Sequence, residues 1–444
     1  MTALLIGNTR TEDMVGDLGA QSVAQRRLAA CAAHRMLWWA RDGDVLVLPT
    51  APGEDYADYV TALTGIRRDS LTVLVPAPGR LGAGILSPDR LADPGFLARL
   101  RTALAGRTVD RVLPVYADPA VAALAGRLGA ESALPGHAFH AQGGGALVNG
   151  KAAFRAIAAG CGIPLPPGTV ATNPEEAGLA VTALLDQGHC AILKQEFACG
   201  GAGNHILSPR PGVRPRGART VTVTTGAAAV HGFLAERWPV LTAGHRHRLV
   251  IERYYPESTA VYAEFDIGDR AVTLLGTGEM LMDPTVTGEI TPALVLPAGR
   301  HRLLIEEARR LCAVYQAMGY RGNLSPDAIH TPAGELLFTE ANGRLTGSTH
   351  LHSAIGARLL GPDRRAHRVL AEDGGLPAPS FRAARDRLSA GGLAYDPATG
   401  TGTLLTADST TADGTVTHCV IAEDADTVRD IQRALAGLVT GVRA

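Results

Sequence analysis

Lysine is nearly missing from this 444-residue chain: among 42 basic side chains only Lys151 and Lys194 are lysines, and asparagine occurs only six times. With abundant alanine, glycine and arginine, the pattern resembles drift toward GC-rich codons, under which an exposed lysine becomes arginine at little cost. The two that stayed lysine are candidates for places where a compact ammonium on a flexible stem fits and a flat guanidinium fork does not. Survival at indifferent surface positions is the competing explanation. A charge excess is missing too. The 42 basic and 43 acidic side chains leave a formal charge of −1, which gives no global electrostatic reason to bind nucleic acid or an anionic membrane. No apolar run approaches the roughly 20 residues of a membrane span. Residues 1–9 carry no basic n-region, so a secretory signal is not expected and the cytoplasm is the expected location. Paired cysteines are also missing: Cys31, Cys161, Cys190, Cys199, Cys312 and Cys419 form no CxxC and have no histidine at metal-ligand spacing. They read as reduced thiols.

What is present is an ordinary globular composition, 46% hydrophobic and 19% charged, long enough for about three domains at roughly 150 residues each. From Ala3 to about Arg127, short apolar runs (3–7, 45–48, 71–75, 112–116) alternate with helical stretches, the βαβ pattern of a parallel sheet. The turn after the first run, Gly7-Asn8-Thr9-Arg10, has one glycine where the dinucleotide fingerprint needs three, so this Rossmann-like lobe is not read as a nicotinamide site. A glycine-rich break at 142–145 precedes Asn149-Gly150-Lys151 and an expected helix at 152–159. Further on, the sequence predicts a strand near 169–172, a helix at 174–186 and a strand at 190–194. The alternating runs at 220–225, 248–255 and 260–268 read as antiparallel strands. An amphipathic helix is expected over 300–318, then two strands near 323–330 and 335–341 joined by the turn 331–334. Around 376–380 a proline-containing stretch marks a boundary before a small α+β tail.

Lys194 ends a strand and precedes a loop holding Gly200, Gly201, Gly203 and Asn204. Glycines let backbone amides close over phosphate oxygens while a strand-end lysine supplies a mobile charge; the same pattern is also that of an ordinary turn. Lys151 begins a helix, where end amides and its ammonium can share an anion. Glu340 and Asn342 alternate on one strand and so share a face, and Asp327 lies on the preceding strand across the hairpin. Such oxygen donors suit Mg²⁺ carrying substrate phosphates, and Arg344 points the same way. His350, His352 and His205 read more readily as packing or helix-start residues than as substrate contacts. The basic run 245–248 reads as a solvated lead-in to a strand.

The order Asn149-Gly150-Lys151, Gly162-Ile163-Pro164, Ile192-Leu193-Lys194 with its glycine loop, Val250 to Tyr255, Asp327 and Glu340 to Arg344 resembles the ATP-grasp ligases over about 150–360. The resemblance implies an α/β fold in three parts: a Rossmann-like pre-ATP-grasp lobe (1–148), an ATP-grasp domain of two α+β subdomains (149–250 and 251–375), and a small C-terminal α+β domain (376–444). It implies ATP and Mg²⁺ as cofactors. Lys151 and Lys194 would contact phosphates, with Gly200, Gly201, Gly203 and Asn204 covering them. Glu252 to Tyr255 would form the adenine hinge, and Glu257 a ribose contact. Asp327, Glu340 and Asn342 would hold the metal, and Arg344 would lie beside an acyl phosphate, making Arg344 and Lys194 the catalytic pair. Two departures stand out. The family's frequent proline before the arginine is Gly343, and no acidic residue matches the ribose contact unambiguously. Across the whole length the chain resembles those members that act as peptide ligases in natural-product (antibiotic) biosynthesis. That implies a small carboxylic acid donor, a guanidino-bearing phenylglycine-type acid, and a peptide amine acceptor, with no nucleic acid or membrane partner. A homodimer is compatible with it. The competing readings are a non-catalytic ATP-binding scaffold and a nicotinamide oxidoreductase.

Overall fold

The computed structural model describes residues 2–440. The first lobe is a four-stranded parallel sheet of β1 (Thr2–Ile6), β2 (Val45–Val47), β3 (Thr72–Leu74) and β4 (Val109–Pro114), in the order β3-β2-β1-β4. Leu4, Leu5, Ile6, Val45, Leu46 and Val47 are all fully buried, because helices cover both faces; an unbroken apolar run is the consequence. Helices Pro94–Leu104 and Pro119–Arg127 start alike: Asp93 and Asp118 accept a backbone N–H of the first turn and a proline follows each.

A second sheet holds β5 (Gly168–Ala171), β6 (Cys190–Gln195), β7 (Asn204–Ser208), β8 (Val221–Val223) and β9 (Leu249–Tyr254), ordered β5-β9-β6-β7-β8, with helices Pro174–Asp186 and Ala227–Leu241 packed on one face. One expectation is corrected here. The run at 220–225 reads as antiparallel from its alternation, but β8 pairs with β7 in parallel. Alternation marks which face a residue takes, whereas direction is set by the connection, and 209–220 is a crossover far longer than a hairpin turn.

The third sheet has eight strands: β10 (Thr259–Ile267), β11 (Val272–Met282), β12 (Val286–Thr291), β13 (Gly322–His330), β14 (Leu336–Asn342), β15 (Val369–Pro377), β16 (Gly402–Ser409) and β17 (Thr415–Ala422). Their order is β14-β13-β10-β11-β12-β15-β17-β16. Helix Ala298–Ala317 lays Leu304, Ala308, Leu311, Cys312 and Tyr315 on it, all buried. Sequence reading did not reach β11, β12 or helix Ala227–Leu241. The position 375/376 falls inside β15, which hydrogen-bonds to β12 on one side and β17 on the other, so the small C-terminal domain extends the sheet. That tail also shares a core with the first lobe: Trp38 Nε1 and Tyr56 Oη both donate to the Thr406 carbonyl, at 3.0 and 2.9 Å. Among the described residues no helix is long and apolar enough to cross a membrane.

Candidate active site

The three parts meet around a cavity of about 430 Å³. Of the residues singled out from the sequence, Lys151, Lys194, Gly200, Gly201, Asn204, Glu252, Tyr255, Asp327, Glu340, Asn342 and Arg344 all line it; Gly203 and Glu257 do not. Gly203 is buried under Ala198 and Gln195. Glu257 is exposed, in the left-handed region at φ 61°, and 3.5 Å from Arg216.

Both lysines are buried and both are held by carboxylates. Lys151 is the first residue of helix Lys151–Gly160; its Nζ donates to the Ala198 carbonyl (2.7 Å) and to Glu340 Oε2 (2.9 Å). Lys194 Nζ lies 2.6 Å from Glu252 Oε2, whose other oxygen accepts from Arg155 at 2.8 Å. Register explains the second pair: Glu252 stands opposite Ile192, two residues before Lys194 and on the same face. The Glu252 side chain, expected to face the hinge, is thus committed to Lys194 and Arg155. At the hinge itself Tyr255 faces the Arg253 guanidinium at 4.5 Å.

The glycine loop closes over these lysines. Gly200 and Gly201 both have positive φ, and a Cβ on Gly201 would meet the Gly217 carbonyl at 2.7 Å, so both backbone angle and space require glycine there. Asn204 donates its side-chain amide to the same Gly217 carbonyl (2.7 Å). Its observed task is to tie this loop to the crossover 209–220, which Tyr254 Oη also reaches through the backbone of Arg216. His205 is occupied by Thr222 and Thr220 on its two ring nitrogens, and serves packing.

Asp327 and Glu340 are directly opposed across β13 and β14. Asp327 accepts from Asn342 Nδ2 (2.8 Å) and Ser325 Oγ (3.1 Å). Burial, followed by the Glu340 charge, pushes Asp327 well above the ordinary carboxylate range. For Glu340 burial works in the same direction, but the charges of Lys151 and Lys194 outweigh it and bring the carboxyl down to about 2. Facing carboxylates of this kind are relieved by a divalent cation, and two carboxylates with the Asn342 carboxamide form the hard oxygen set that Mg²⁺ takes. No group of three His, Cys, Asp or Glu suited to a metal occurs among the described residues.

Several contacts here were not expected from the sequence. Asn149 Oδ1 accepts from Arg344 Nη1 (2.7 Å) and from the Gly343 backbone N–H (3.0 Å), which fixes the arginine. Glu264, fully buried, accepts from Ser348 Oγ (2.8 Å), Thr346 Oγ1 (3.4 Å), Asn323 Nδ2 (3.4 Å) and Thr349 Oγ1, and so fastens the loop that follows Arg344. A charged residue inside an apolar alternation was its only signal. Glu289 lines the cavity from β12; it accepts from Tyr262 Oη at 3.2 Å and has no cationic partner among the described residues. Burial, then the charges of Glu372 and Glu264, pushes Glu289 up to about 8. His350 pairs with Glu372 (2.5 Å) and His352 with Tyr262 Oη (3.2 Å), both from the π-helical segment His350–Leu360. The first lobe adds Arg10, Arg35, Met36 and Trp39 to the lining.

A family model described as the pre-ATP-grasp domain matches residues 33–130, and one described as the PGM1 C-terminal domain matches 383–435. None of the curated proteins matches the chain. Among solved structures, biotin carboxylase from Campylobacter jejuni, crystallised as a β-γ-ATP complex, is similar with a TM-score of 0.57 at 14% identity, over 96% of this chain and 88% of that one. N5-carboxyaminoimidazole ribonucleotide synthetase from Thermus thermophilus gives 0.57 at 15%, over 99% and 98%. The biotin carboxylase domain of the Hydrogenobacter thermophilus 2-oxoglutarate carboxylase, crystallised with MgADP, ADP and bicarbonate, gives 0.58 at 14%, over 98% and 89%. At such identities the likeness is one of fold.

Proposed function

We propose that this chain, an ATP-grasp fold behind a pre-ATP-grasp domain, is an ATP-dependent carboxylate–amine ligase. The carrying observation is that two buried lysines, a glycine loop of positive φ, an opposed carboxylate pair and an anchored arginine, taken from separate stretches of sequence, line one cavity. ATP with Mg²⁺ supplies the γ-phosphoryl that activates a carboxylate as an acyl phosphate, releasing ADP and, after amine attack, phosphate. Lys151 and Lys194 neutralise the phosphate oxygens, Gly200 and Gly201 present amides to them, and Asp327, Glu340 and Asn342 hold the metal. Arg344, set by Asn149, orients the donor carboxylate. No nucleophilic serine or cysteine is asked for; positioning and charge do the work.

The finer reading is a peptide ligase similar to that of pheganomycin biosynthesis. A guanidino-bearing phenylglycine-type donor would place its cation against Glu289, a cavity carboxylate with no ion pair among the described residues, and its ring among Trp39 and Met36. The acceptor would be the N-terminal amine of a peptide. The test is a matrix of candidate acids against amines, read as ADP formation and product mass. No ADP release under any pairing would favour the non-catalytic scaffold instead.

A further inference from the structure

A second cavity, of about 510 Å³, shares Trp39 and Leu345 with the first. Three arginines line it, Arg41, Arg111 and Arg358, with Asp266 the only carboxylate. Arg41 follows the first lobe's 3₁₀ turn, Arg111 lies on β4, and Arg358 on the π-helical segment, so the fold gathers them from three places. Among the described residues the side chains of Arg41 and Arg111 make no ion pair or hydrogen bond. Arg358 donates to the Ala40 carbonyl at 2.5 Å and has no carboxylate partner. The acids nearest in sequence are committed elsewhere: Asp44 accepts from the backbone of Ala3 and Arg41 at 2.8 Å each, and Asp42 pairs with Arg67 at 3.2 Å. In a chain of net charge −1 this concentration of unpaired guanidinium groups is local, and guanidinium forks match carboxylates in geometry as well as charge.

We propose that this second cavity holds the carboxylate end of the amine-bearing substrate while its amine reaches past Leu345 to the neighbourhood of Arg344. The identity of that molecule rests on the ligase reading; the negative charge of its end does not. Elimination supports the choice. Nucleotide phosphates belong with Lys151 and Lys194 in the first cavity, and the donor carboxylate must lie at the reacting centre, so the anion left over is the acceptor's own carboxylate. Leu345 directly follows Arg344 and lines both cavities, so the two share a wall next to the proposed reacting centre.

The test is calorimetric titration of matched tripeptides and tripeptide amides into the full chain and into an Arg111→Gln/Arg358→Gln double variant. Both sites are exposed, and the thermal midpoint serves as the folding control. The acid form should bind the unaltered chain about tenfold more tightly than the amide, and the preference should vanish in the double variant. Equal affinity in the unaltered chain, or a preference that survives in the variant, overturns the assignment. So does displacement of the acid peptide by inorganic phosphate at equal concentration, which would show a site for any anion. The acid–amine matrix is read separately. Turnover without acid preference removes only this cavity's role, whereas acid preference without turnover removes the ligase reading and leaves an anion-binding cavity.

Discussion

Lys194 Nζ and Glu252 Oε2 are 2.6 Å apart inside the cavity, so one of the chain's two lysines is held by the carboxylate expected to meet the nucleotide base. Glu252 therefore positions Lys194, the lysine proposed to meet phosphate, with Arg155 sharing its charge.

Lys194→Arg tests that pairing and the reason lysine was kept. A guanidinium can still pair with Glu252, so the variant should fold with a thermal midpoint near that of the unaltered chain. Its wider head cannot lie between phosphates and the Gly200–Gly201 turn, and ADP release should fall about 10²-fold or more. Undiminished turnover in the folded variant would remove Lys194 from the site.

Glu340→Gln should cost stability as well as turnover. From sequence Glu340 reads as an exposed strand end whose loss folding would not notice; the structure pairs it with the buried Lys151 at 2.9 Å. Removing it strands an ammonium, a loss of about 1–3 kcal/mol. The pH dependence has a definite sign. Because the folded carboxyl sits near 2, its contribution is present above the unfolded value of about 4.3 and is lost as pH falls toward 2. Denaturant midpoints from pH 7 down to pH 2 should show this acid-side loss in the unaltered chain and not in the variant.

Glu289 runs the other way. Its folded value of about 8 lies above the unfolded value of about 4.3, so the native state binds the extra proton and stability falls as pH rises between them. Glu289→Gln should flatten that slope and leave the protein more stable at pH 8, measured by urea midpoint. With a guanidino donor the same variant should raise KM by about tenfold or more and leave KM for a neutral donor unchanged.

Gly343 stands where the ATP-grasp ligases that the sequence resembles often have proline. A Cβ there would meet Val148 Cγ1 at 2.5 Å, and the Gly343 N–H is spent on Asn149 Oδ1 at 3.0 Å. Gly343→Pro should therefore overpack the site and release Arg344, lowering the thermal midpoint by an amount equivalent to about 1–3 kcal/mol and abolishing turnover. Gly343→Ala, which keeps the N–H, should show the packing cost with part of the activity.

Reaction order can be read from isotopes. Hydroxylamine in place of the acceptor should trap a hydroxamate of the donor, and one ¹⁸O from labelled donor carboxylate should appear in phosphate per amide formed. Label in AMP would mean adenylation and would end the acyl-phosphate mechanism.

Local chemistry made much of this protein legible before its structure. Unbroken apolar runs gave the parallel lobe because both faces of β1 and β2 are covered. Asp327, Glu340 and Asn342 were legible as neighbours because a hairpin of known turn fixes its own register. The bias against lysine singled out Lys151 and Lys194, and both face the cavity. Tertiary structure decided the rest, since those facts depend on contacts between segments far apart in sequence. The parallel direction of β8 follows from where the 209–220 crossover lies, and the union of the tail with the large sheet follows from the pairing of β15 with β12. Asn149 meets Arg344 across 195 positions, Lys194 meets Glu252 across a strand pairing, and Glu289 enters the cavity from a strand that sequence alone did not reveal. A side chain's type announces what chemistry it can do. Which partner neutralises it, and so whether it is free to act, is settled only when the sheets pack.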